Sequence, residues 1–211
     1  MEKVQLRTYV FIDSLQPQFA AYSASTAQGY LPVEGQAALY VEIAPGMEIN
    51  RVMDIALKAT DVTPAELIVE RQYGMLELHS DSQADVRQAG QAILDALHLK
   101  EKDRVKPQII SSQIIRRVDD YQAMLINRSG RKGMMLIGKQ SLFILEVYPA
   151  AYATLAANEA EKAADINIVI IRAAGAFGRV YLAGEEKDVV VASEAAIKAI
   201  ESVEGTVEVK K

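Results

Sequence analysis

Residues 42–62 read EIAPGMEINRVMDIALKATDV, and residues 146–166 read EVYPAAYATLAANEAEKAADI. Glutamate, proline, lysine and aspartate stand at matching places in the two stretches, 104 positions apart (146 − 42). The same offset relates residues on either side, and we expect it to hold along the whole chain without a slip. The matching pairs are Glu42 and Glu146, Pro45 and Pro149, Lys58 and Lys162, Asp61 and Asp165, Gly74 and Gly178, Gln18 and Gln122, Gly29 and Gly133, Leu78 and Leu182, Val86 and Val190, and Ile93 and Ile197. The chain is therefore a tandem duplication, and we expect one domain in residues 1–103 and a second in residues 104–211.

The composition narrows the class of protein. Half of the 211 residues are hydrophobic, enough to give each copy the core of an ordinary domain of about 100 residues. A net charge of −5 and a pI of about 5.2 argue against nucleic acid as a partner. No apolar run approaches the roughly 20 residues that span a bilayer, and the first residues, MEKVQ, do not resemble a signal peptide. We therefore expect a soluble, cytoplasmic protein with no membrane partner.

The residues that usually carry catalysis are scarce. The absence of cysteine excludes disulfides, thiolate metal sites and cysteine nucleophiles, and there are two histidines. His79 is interpreted as a turn residue and His98 as the end of a helix, and no pair of acid and base groups recurs in both copies. The sequence therefore predicts no enzymatic activity, no metal and no cofactor.

The periodicity of apolar residues predicts the same order of elements in each copy. Predicted strands are Leu6–Asp13, Ala38–Ile43, Leu67–Glu70 and Met75–His79 in the first copy, and Gln113–Arg117, Leu142–Val147, Ile168–Arg172 and Arg179–Leu182 in the second. Predicted helices are Ile49–Thr60, Ser82–Leu97, Tyr152–Ala164 and Glu186–Ser202. Each copy is thus predicted to be an α+β domain with helices packed on an antiparallel or mixed sheet. The charged stretch 100–107 between the copies is interpreted as a solvated linker.

Two stretches have more than one interpretation. The alanines of residues 152–164 are explained either by helix propensity and tight packing on the sheet, or by a flat assembly that needs thin helices beside subunit interfaces. Residues 128–133, RSGRKG, lack the Gly-Lys-Ser/Thr ending of a phosphate-binding loop before a helix, and we interpret them as a basic surface loop.

The repeated stretches, each followed by a strand that ends in a glycine loop, resemble bacterial microcompartment shell domains. In ordinary members of that family the strand ending in glutamate opens the domain, whereas each copy here has a strand before it, so the domains resemble the circularly permuted form. The stretches LRTYVFIDSLQP (residues 6–17), IVER (68–71) and AANEAEK (156–162) are similar to the tandem, permuted shell proteins of carboxysomes of the cyanobacterial type. The resemblance implies a sheet related to the ferredoxin-like fold, covered by helices, in each domain.

The resemblance further implies an assembly. Three chains would form a pseudohexameric tile with a pore on the threefold axis, and two tiles sometimes stack face to face. Other carboxysome shell proteins would be its partners, in a compartment for carbon dioxide fixation in photosynthesis. A duplicated domain supports part of this independently, since a trimer of two-domain chains replaces a homohexamer and allows the copies to diverge at the axis.

One loop differs sharply between the copies. Residues 69–74 read VERQYG, and the matching residues 173–178 read AAGAFG. In the related family this loop lines the central pore, so the resemblance implies a pore gate formed by Glu70 and Arg71. The implied pore lining is Ala174, Gly175, Tyr73 and Phe177. The alternative is that Glu70 and Arg71 form an ordinary solvated surface pair.

Lys58 and Lys162 occupy matching positions near helix ends. In shell proteins such lysines lie at the tile edge and meet neighbouring tiles. The alternative is that each complements the dipole of its helix, and both roles are compatible.

The function implied is a structural tile of the β-carboxysome shell. Its gated pore would pass phosphorylated sugar metabolites such as ribulose bisphosphate and phosphoglycerate. The alternative is a trimeric sensor that binds a small metabolite between its domains and builds no shell.

Overall fold

The computed structural model describes residues 4–207, in which each copy forms a four-stranded antiparallel sheet. The first copy consists of β1 (Gln5–Ile12), α1 (Pro17–Thr26), β2 (Ala37–Ala44), α2 (Ile49–Ala59), β3 (Thr63–Glu70), β4 (Tyr73–Ser80) and α3 (Gln83–Leu97). The second consists of β5 (Gln108–Ile115), α4 (Asp120–Ser129), β6 (Ser141–Tyr148), α5 (Tyr152–Ala163), β7 (Asn167–Arg172), β8 (Gly178–Gly184) and α6 (Glu186–Glu201). The strand orders are β1-β2-β4-β3 and β5-β6-β8-β7, so the predicted α+β class with two matching domains is confirmed. Residues 1–3 of the first expected domain and residues 208–211 of the second lie outside the described residues.

Alternation along the central strands separates two faces of each sheet. In the first copy, Leu39 and Val41 pack with α2 and α3, whereas Tyr40 between them packs with Phe19 of α1. In the second copy, Leu145 packs with α5 and α6, whereas the alternate residues of β6 face α4. Successive side chains of a strand point to opposite faces, so each sheet carries two long helices on one face and one short helix on the other.

The short helices α1 and α4 were not predicted. Helix α1 has the sequence PQFAAYSAST, whose serines and threonines have modest helix propensity and whose apolar residues form a weak stripe. Strand β5 begins at Gln108, five residues before the predicted start. The prediction missed its first half because the polar, exposed run Ser111 to Gln113 interrupts the apolar pattern. These elements depend on tertiary contacts more than on local pattern.

The expectation of a constant offset of 104 is wrong at both ends of each copy. The N–H of Leu15 bonds to Gln36 O at 2.8 Å, and the N–H of Val118 bonds to Gln140 O at 2.9 Å, so the first strand and short helix are offset by 103 (118 − 15). The second copy has one more residue after its short helix and one fewer before its last helix. The pairs Gln18 and Gln122, Val86 and Val190, and Ile93 and Ile197 are therefore not equivalent. Loops on the surface absorb such single insertions without disturbing the sheets.

The stretch between the copies is not a free linker. Glu101 and Lys102 are exposed, as expected, but Val105 is buried and Arg104 donates to the carbonyl oxygen of Tyr9 at 2.6 Å. The hydroxyl of Tyr152 donates to the carbonyl oxygen of Val105 at 2.8 Å. The segment therefore ties the two domains together.

The alanine-rich helix α5 lies at the centre of the domain interface. It packs on α6 and on its own sheet, and it also contacts α1 and β1 of the first copy. The fully buried alanines of this helix are Ala153, Ala156, Ala157 and Ala160. Small side chains let these elements approach closely, which agrees with the packing explanation for the alanines.

No helix among residues 4–207 is long and apolar enough to cross a membrane.

Candidate functional site: two matched loops at the domain interface

The charged loop of the first copy is a tight hairpin turn. Glu70 pairs with Tyr73 at the end of the β3–β4 ladder, which leaves Arg71 and Gln72 as the turn. Arg71 has a φ of 56°, a left-handed conformation that tight hairpin turns require. The Arg71 Nε lies 3.8 Å from Glu70 Oε1, and the two side chains are 88% and 53% exposed. The pair is thus loose and solvated within one chain, and both charges are available to groups outside it.

The matching loop of the second copy is longer and uncharged. Strand β7 ends at Arg172 and β8 begins at Gly178, so Ala173–Phe177 forms an open loop where the first copy has a two-residue turn. Gly175 has a φ of +106°, which residues with a side chain rarely adopt. A β-carbon at Gly175 would lie 3.5 Å from the Cγ of Glu70. The fold therefore brings the two matched loops into contact within a single chain.

The aromatic residues at the base of the two loops share a cluster. The ring of Phe177 lies 6.1 Å from the ring of Tyr148, and the guanidinium carbon of Arg7 lies 3.6 Å from the centre of the Tyr73 ring. The same carbon is 4.9 Å from the centre of the Tyr148 ring. A cation over an aromatic face stabilises such a contact by about 0.5–2 kcal/mol. Arg7 thus links the base of the charged loop to the base of the uncharged one.

A buried ion pair anchors this cluster. The Arg7 Nε donates to Glu42 Oε1 at 2.7 Å, its Nη1 donates to the Tyr148 hydroxyl at 3.1 Å, and the Ala151 N–H donates to Glu42 Oε2 at 2.9 Å. Arg7 and Glu42 are each 1% exposed. Burial raises the pKa of the Glu42 carboxyl, and Arg7 and Ala151 partly oppose that rise. Burial disfavours the Arg7 cation, but Glu42 and Tyr148 together favour it, and the pKa of Arg7 lies above its ordinary value. Arg7 stands inside the otherwise largely apolar run LRTYVFI, and this was the sequence signal for a buried charge. The sequence analysis did not assign Arg7 a role.

The two lysines predicted at the tile edge lie in different settings. The Lys58 Nζ lies 2.7 Å from Asp54 Oδ2 on the same exposed helix face. The Lys162 Nζ lies 3.8 Å from Asp13 Oδ1 of the first copy, so this lysine contributes to the domain interface. Both side chains remain about half exposed or more.

The histidine interpretations are half right. His98 follows the last residue of α3, as predicted for a helix end, and its φ of 55° is left-handed. His79 is not a turn residue: it is a buried member of β4 whose Nδ1 lies 3.2 Å from both carboxylate oxygens of Glu77. Burial raises the pKa of Glu77, and His79 opposes that rise. Within residues 4–207 no group of three or more metal-ligating side chains comes together.

Two copies of a permuted domain joined side by side, with divergent loops in contact, define a fused microcompartment shell protein. The fused permuted hexameric shell protein from the RMM microcompartment matches with a TM-score of 0.91 and 46% identity, over 94% of this chain and 99% of that one. The double ringed trimeric shell protein from the RMM microcompartment matches with a TM-score of 0.93 and 40% identity, over 97% and 100%.

Known carboxysome proteins are similar over almost the whole chain. The carboxysome shell protein CcmP of Synechococcus elongatus is 54% identical over 96% of this chain and 94% of its own length. The carboxysome shell protein CsoS1D of Hydrogenovibrio crunogenus is 50% identical over 93% and 96%. The family described as the CsoS1D N-terminal domain matches residues 6–103. The chain therefore belongs to the tandem, permuted carboxysome shell proteins, and its predicted place in a carboxysome shell is confirmed by these relatives.

Proposed function

We propose that three chains close into a pseudohexameric tile of a β-carboxysome shell, with the two matched loops around its central pore. The main support is an incomplete interface. Tyr22 of α1 is 9% exposed, and its hydroxyl donates to the carbonyl oxygen of Ile171 at 2.9 Å across the domain boundary. Leu125, at the equivalent position of α4 (22 + 103), is 61% exposed. The second copy thus exposes the surface that the first copy buries against its neighbouring domain. In the proposed trimer, the first copy of the next chain covers this surface.

The edge strand of the second copy leads to the same conclusion. Arg7 of β1 is buried, whereas Ile110 at the equivalent position of β5 is 46% exposed. Repeating the contact between the copies in one chain at each chain boundary places six domains in a ring, which closes after three chains. We also propose domain limits at residues 1–103 and 104–211, which agree with one complete sheet on each side of that division.

The gate follows from the charged turn. Three copies of Glu70 and Arg71 would alternate around the axis with three uncharged loops that contain Gly175. A planar guanidinium pairs well with a carboxylate of the neighbouring chain, and an exposed pair of this kind is worth only about 0–1 kcal/mol. Open and closed arrangements of the turn therefore lie close in free energy, and small differences in binding shift the population.

The cargo proposed is a phosphorylated sugar metabolite such as ribulose bisphosphate or phosphoglycerate. Arg71 is 88% exposed at the tip of the turn, where a solvated cation attracts an anion without retaining it. Ala174 and Gly175 would leave room on the pore wall between the charged turns. Lys58 and Lys162 are proposed to meet other carboxysome shell proteins at the tile edge.

The assembly is tested first by native mass. One tile should have three times the chain mass of 23.1 kDa, and a stacked pair of tiles should have six times that mass. A monomer would remove the axis on which the pore depends. A trimer that binds phosphoglycerate saturably and never forms arrays with shell proteins would instead favour the sensor.

The gate is tested by replacing Glu70 and Arg71 with alanine and sorting single tiles by pore state in cryo-electron microscopy. We expect the open state to dominate in the double variant, with an unchanged native mass. The control replaces Glu48, the residue before α2, and Arg51 of its first turn, whose side chains pair at 2.9 Å and are 32% and 49% exposed. It should leave the pore populations unchanged. Equal populations of the two states in the wild-type protein and the pore variant would refute the gate.

A further inference from the structure

A cavity of about 770 Å³ lies at the junction of the two domains, on the side of the first sheet that carries the long helices. Strand β1, helix α3 and the connector 98–107 form most of its wall, and Leu155 of α5 and the end of α6 complete it. A volume of this size is typical of small-molecule sites. All of its wall belongs to one chain, so the cavity does not depend on the proposed trimer.

Helix α3 contributes one side to this cavity and the other side to its neighbour α2. The Thr60 hydroxyl donates to Asp85 Oδ1 at 2.7 Å, so that side of α3 faces the end of α2. Arg87 is two positions further on, roughly on the opposite side of the helix, and it lines the cavity together with Gln91. Within the chain α1 packs on β7 and α5, so in the proposed ring α4 would pack on β3 and α2 of the next chain. Closure of the ring would therefore leave the cavity accessible.

The Tyr9 hydroxyl is an unused hydrogen-bond donor in the wall. Tyr9 is 7% exposed, yet its hydroxyl has no hydrogen-bond partner among residues 4–207. Burial raises the pKa of Tyr9 to about 12, so the hydroxyl keeps its proton at neutral pH. Buried polar groups are nearly always hydrogen-bonded. An unpaired one beside a cavity therefore indicates a partner that comes from outside the chain.

The Arg87 guanidinium is a second unused donor. Its central carbon lies 3.7 Å from the centre of the Phe11 ring, a distance at which the ring and the cation attract each other. Within residues 4–207 no carboxylate forms an ion pair with Arg87. Stacking on Phe11 leaves the N–H groups at the edge of the guanidinium free to pair with an oxygen-bearing anion.

The acceptors of the wall already have partners. Arg104 Nη1 donates to Glu101 Oε1 at 2.8 Å, and Gln91 Nε2 donates to Asp95 Oδ1 at 2.7 Å. The wall carries one positive charge in excess, since it has three cations and two anions. These are Arg87, Lys100 and Arg104, and Asp95 and Glu101. That excess matches a carboxylate, whereas a phosphate monoester carries a charge of about −1.5 to −2.

Apolar side chains lie in the same wall as the two free donors. Leu94 and Val203 are 4% and 8% exposed, and Leu99 and Leu155 are half-buried. A site of this kind favours a ligand that has an apolar body as well as a charged group.

The second copy has none of these features. At an offset of 103, Ser112 replaces Tyr9 and Ser193 replaces Gly90. A β-carbon at Gly90 would collide with the Tyr9 hydroxyl oxygen, so the glycine makes room for the tyrosine. Val190 replaces Arg87 in the same way. Because the second copy folds without them, these residues are not required by the domain fold.

We infer that this cavity binds a small organic carboxylate with an apolar body. The carboxylate oxygens accept hydrogen bonds from the Tyr9 hydroxyl and from the edge of the Arg87 guanidinium. The apolar body lies against Leu94, Leu99 and Val203. The site is separate from the pore loops, and it occurs once in each chain.

Binding is tested with the whole protein by titration, followed by ligand-observed nuclear magnetic resonance. The probes are hexanoate, benzoate and 4-phenylbutyrate, each compared with its neutral amide, and inorganic phosphate. We expect at least one carboxylate to saturate at one site per chain and its amide to bind about tenfold more weakly or less. No saturable binding by any of the three carboxylates would overturn the proposal. Equal binding of a carboxylate and its amide, or tighter binding of phosphate, would also overturn it.

The place of binding is tested with two variants. Tyr9→Phe and Arg87→Gln should each raise Kd about tenfold, whereas the controls Tyr30→Phe and Arg51→Gln, at exposed residues elsewhere in the first copy, should leave it unchanged. Tyr9→Phe should not lower Tm, because the hydroxyl has no partner in the described chain. A Kd that neither variant changes would place the carboxylate elsewhere, and a large fall in Tm would give the hydroxyl a structural role; either result would overturn the site. Neither measurement depends on the native mass, so the proposed tile can fail independently.

Discussion

The buried pair of Arg7 and Glu42 allows a sharp test of how the domain interface is held together. Arg7→Met keeps an unbranched stem beside the Tyr73 ring but leaves the Glu42 carboxylate buried without its cation, 2.7 Å from where the guanidinium stood. Removing one partner of a buried ion pair typically costs about 3–5 kcal/mol. In a chain of this size each kcal/mol shifts Tm by about 2–4 °C. We expect Tm to fall by roughly 6–20 °C.

A second variant separates the loss of the cation from the loss of packing. Adding Glu42→Gln to Arg7→Met removes the uncompensated charge, while the amide oxygen still accepts the Ala151 N–H. Replacing a whole buried pair by neutral groups is often close to neutral in free energy. Most of the lost stability should therefore return in the double variant.

The control is the exposed pair of Lys58 and Asp54, which are 74% and 58% exposed. Lys58→Ala should cost about 0.3–0.5 kcal/mol. All variants are unfolded by heat and by urea at one chain concentration, because assembly adds to apparent stability. The reasoning fails if Arg7→Met costs no more than Lys58→Ala, or if Glu42→Gln restores nothing.

Two further predictions concern single residues at the interface. Gly175→Ala should lower the free energy of unfolding by about 1–3 kcal/mol, because its φ of +106° strains any side chain. The control, Gly184→Ala, should cost much less, since its φ lies outside the left-handed region and a β-carbon there makes only ordinary contacts. Equal losses of stability in urea would contradict this. The carboxylate of Glu161 accepts the N–H groups of Gln18 and Phe19 at 2.7 and 2.8 Å, so it caps α1 from the other domain. Glu161→Gln should therefore lose about 1–2 kcal/mol in the same assay, against little change for Glu159→Gln, and similar stability of the two variants would argue against the cap.

The duplication, the α+β class and the two long helices of each copy were predictable because they are written in local patterns. Helix α2 places apolar residues at helical spacing, and β2 and β6 are mostly apolar, each interrupted by one glutamate. The short helices, the bounds of β5 and the role of residues 100–107 were missed, because their order comes from packing against other elements.

The candidate site divides in the same way. Comparing the copies was enough to single out Glu70 and Arg71 and to match them with Ala174 and Gly175, since the divergence of one loop is visible in the sequence. That Glu70 and Gly175 lie side by side follows from the domain interface.

The sequence by itself determined that the chain contains two copies of one domain and that one loop is charged in only one of them. The tertiary structure decided which surfaces of the two copies meet. Arg7, Glu42 and Tyr148 come from distant parts of the chain, up to 141 positions apart, and only the packed domains bring them together. A repeat is a property of residue order, whereas an interface depends on which faces of the finished sheets and helices remain to be buried.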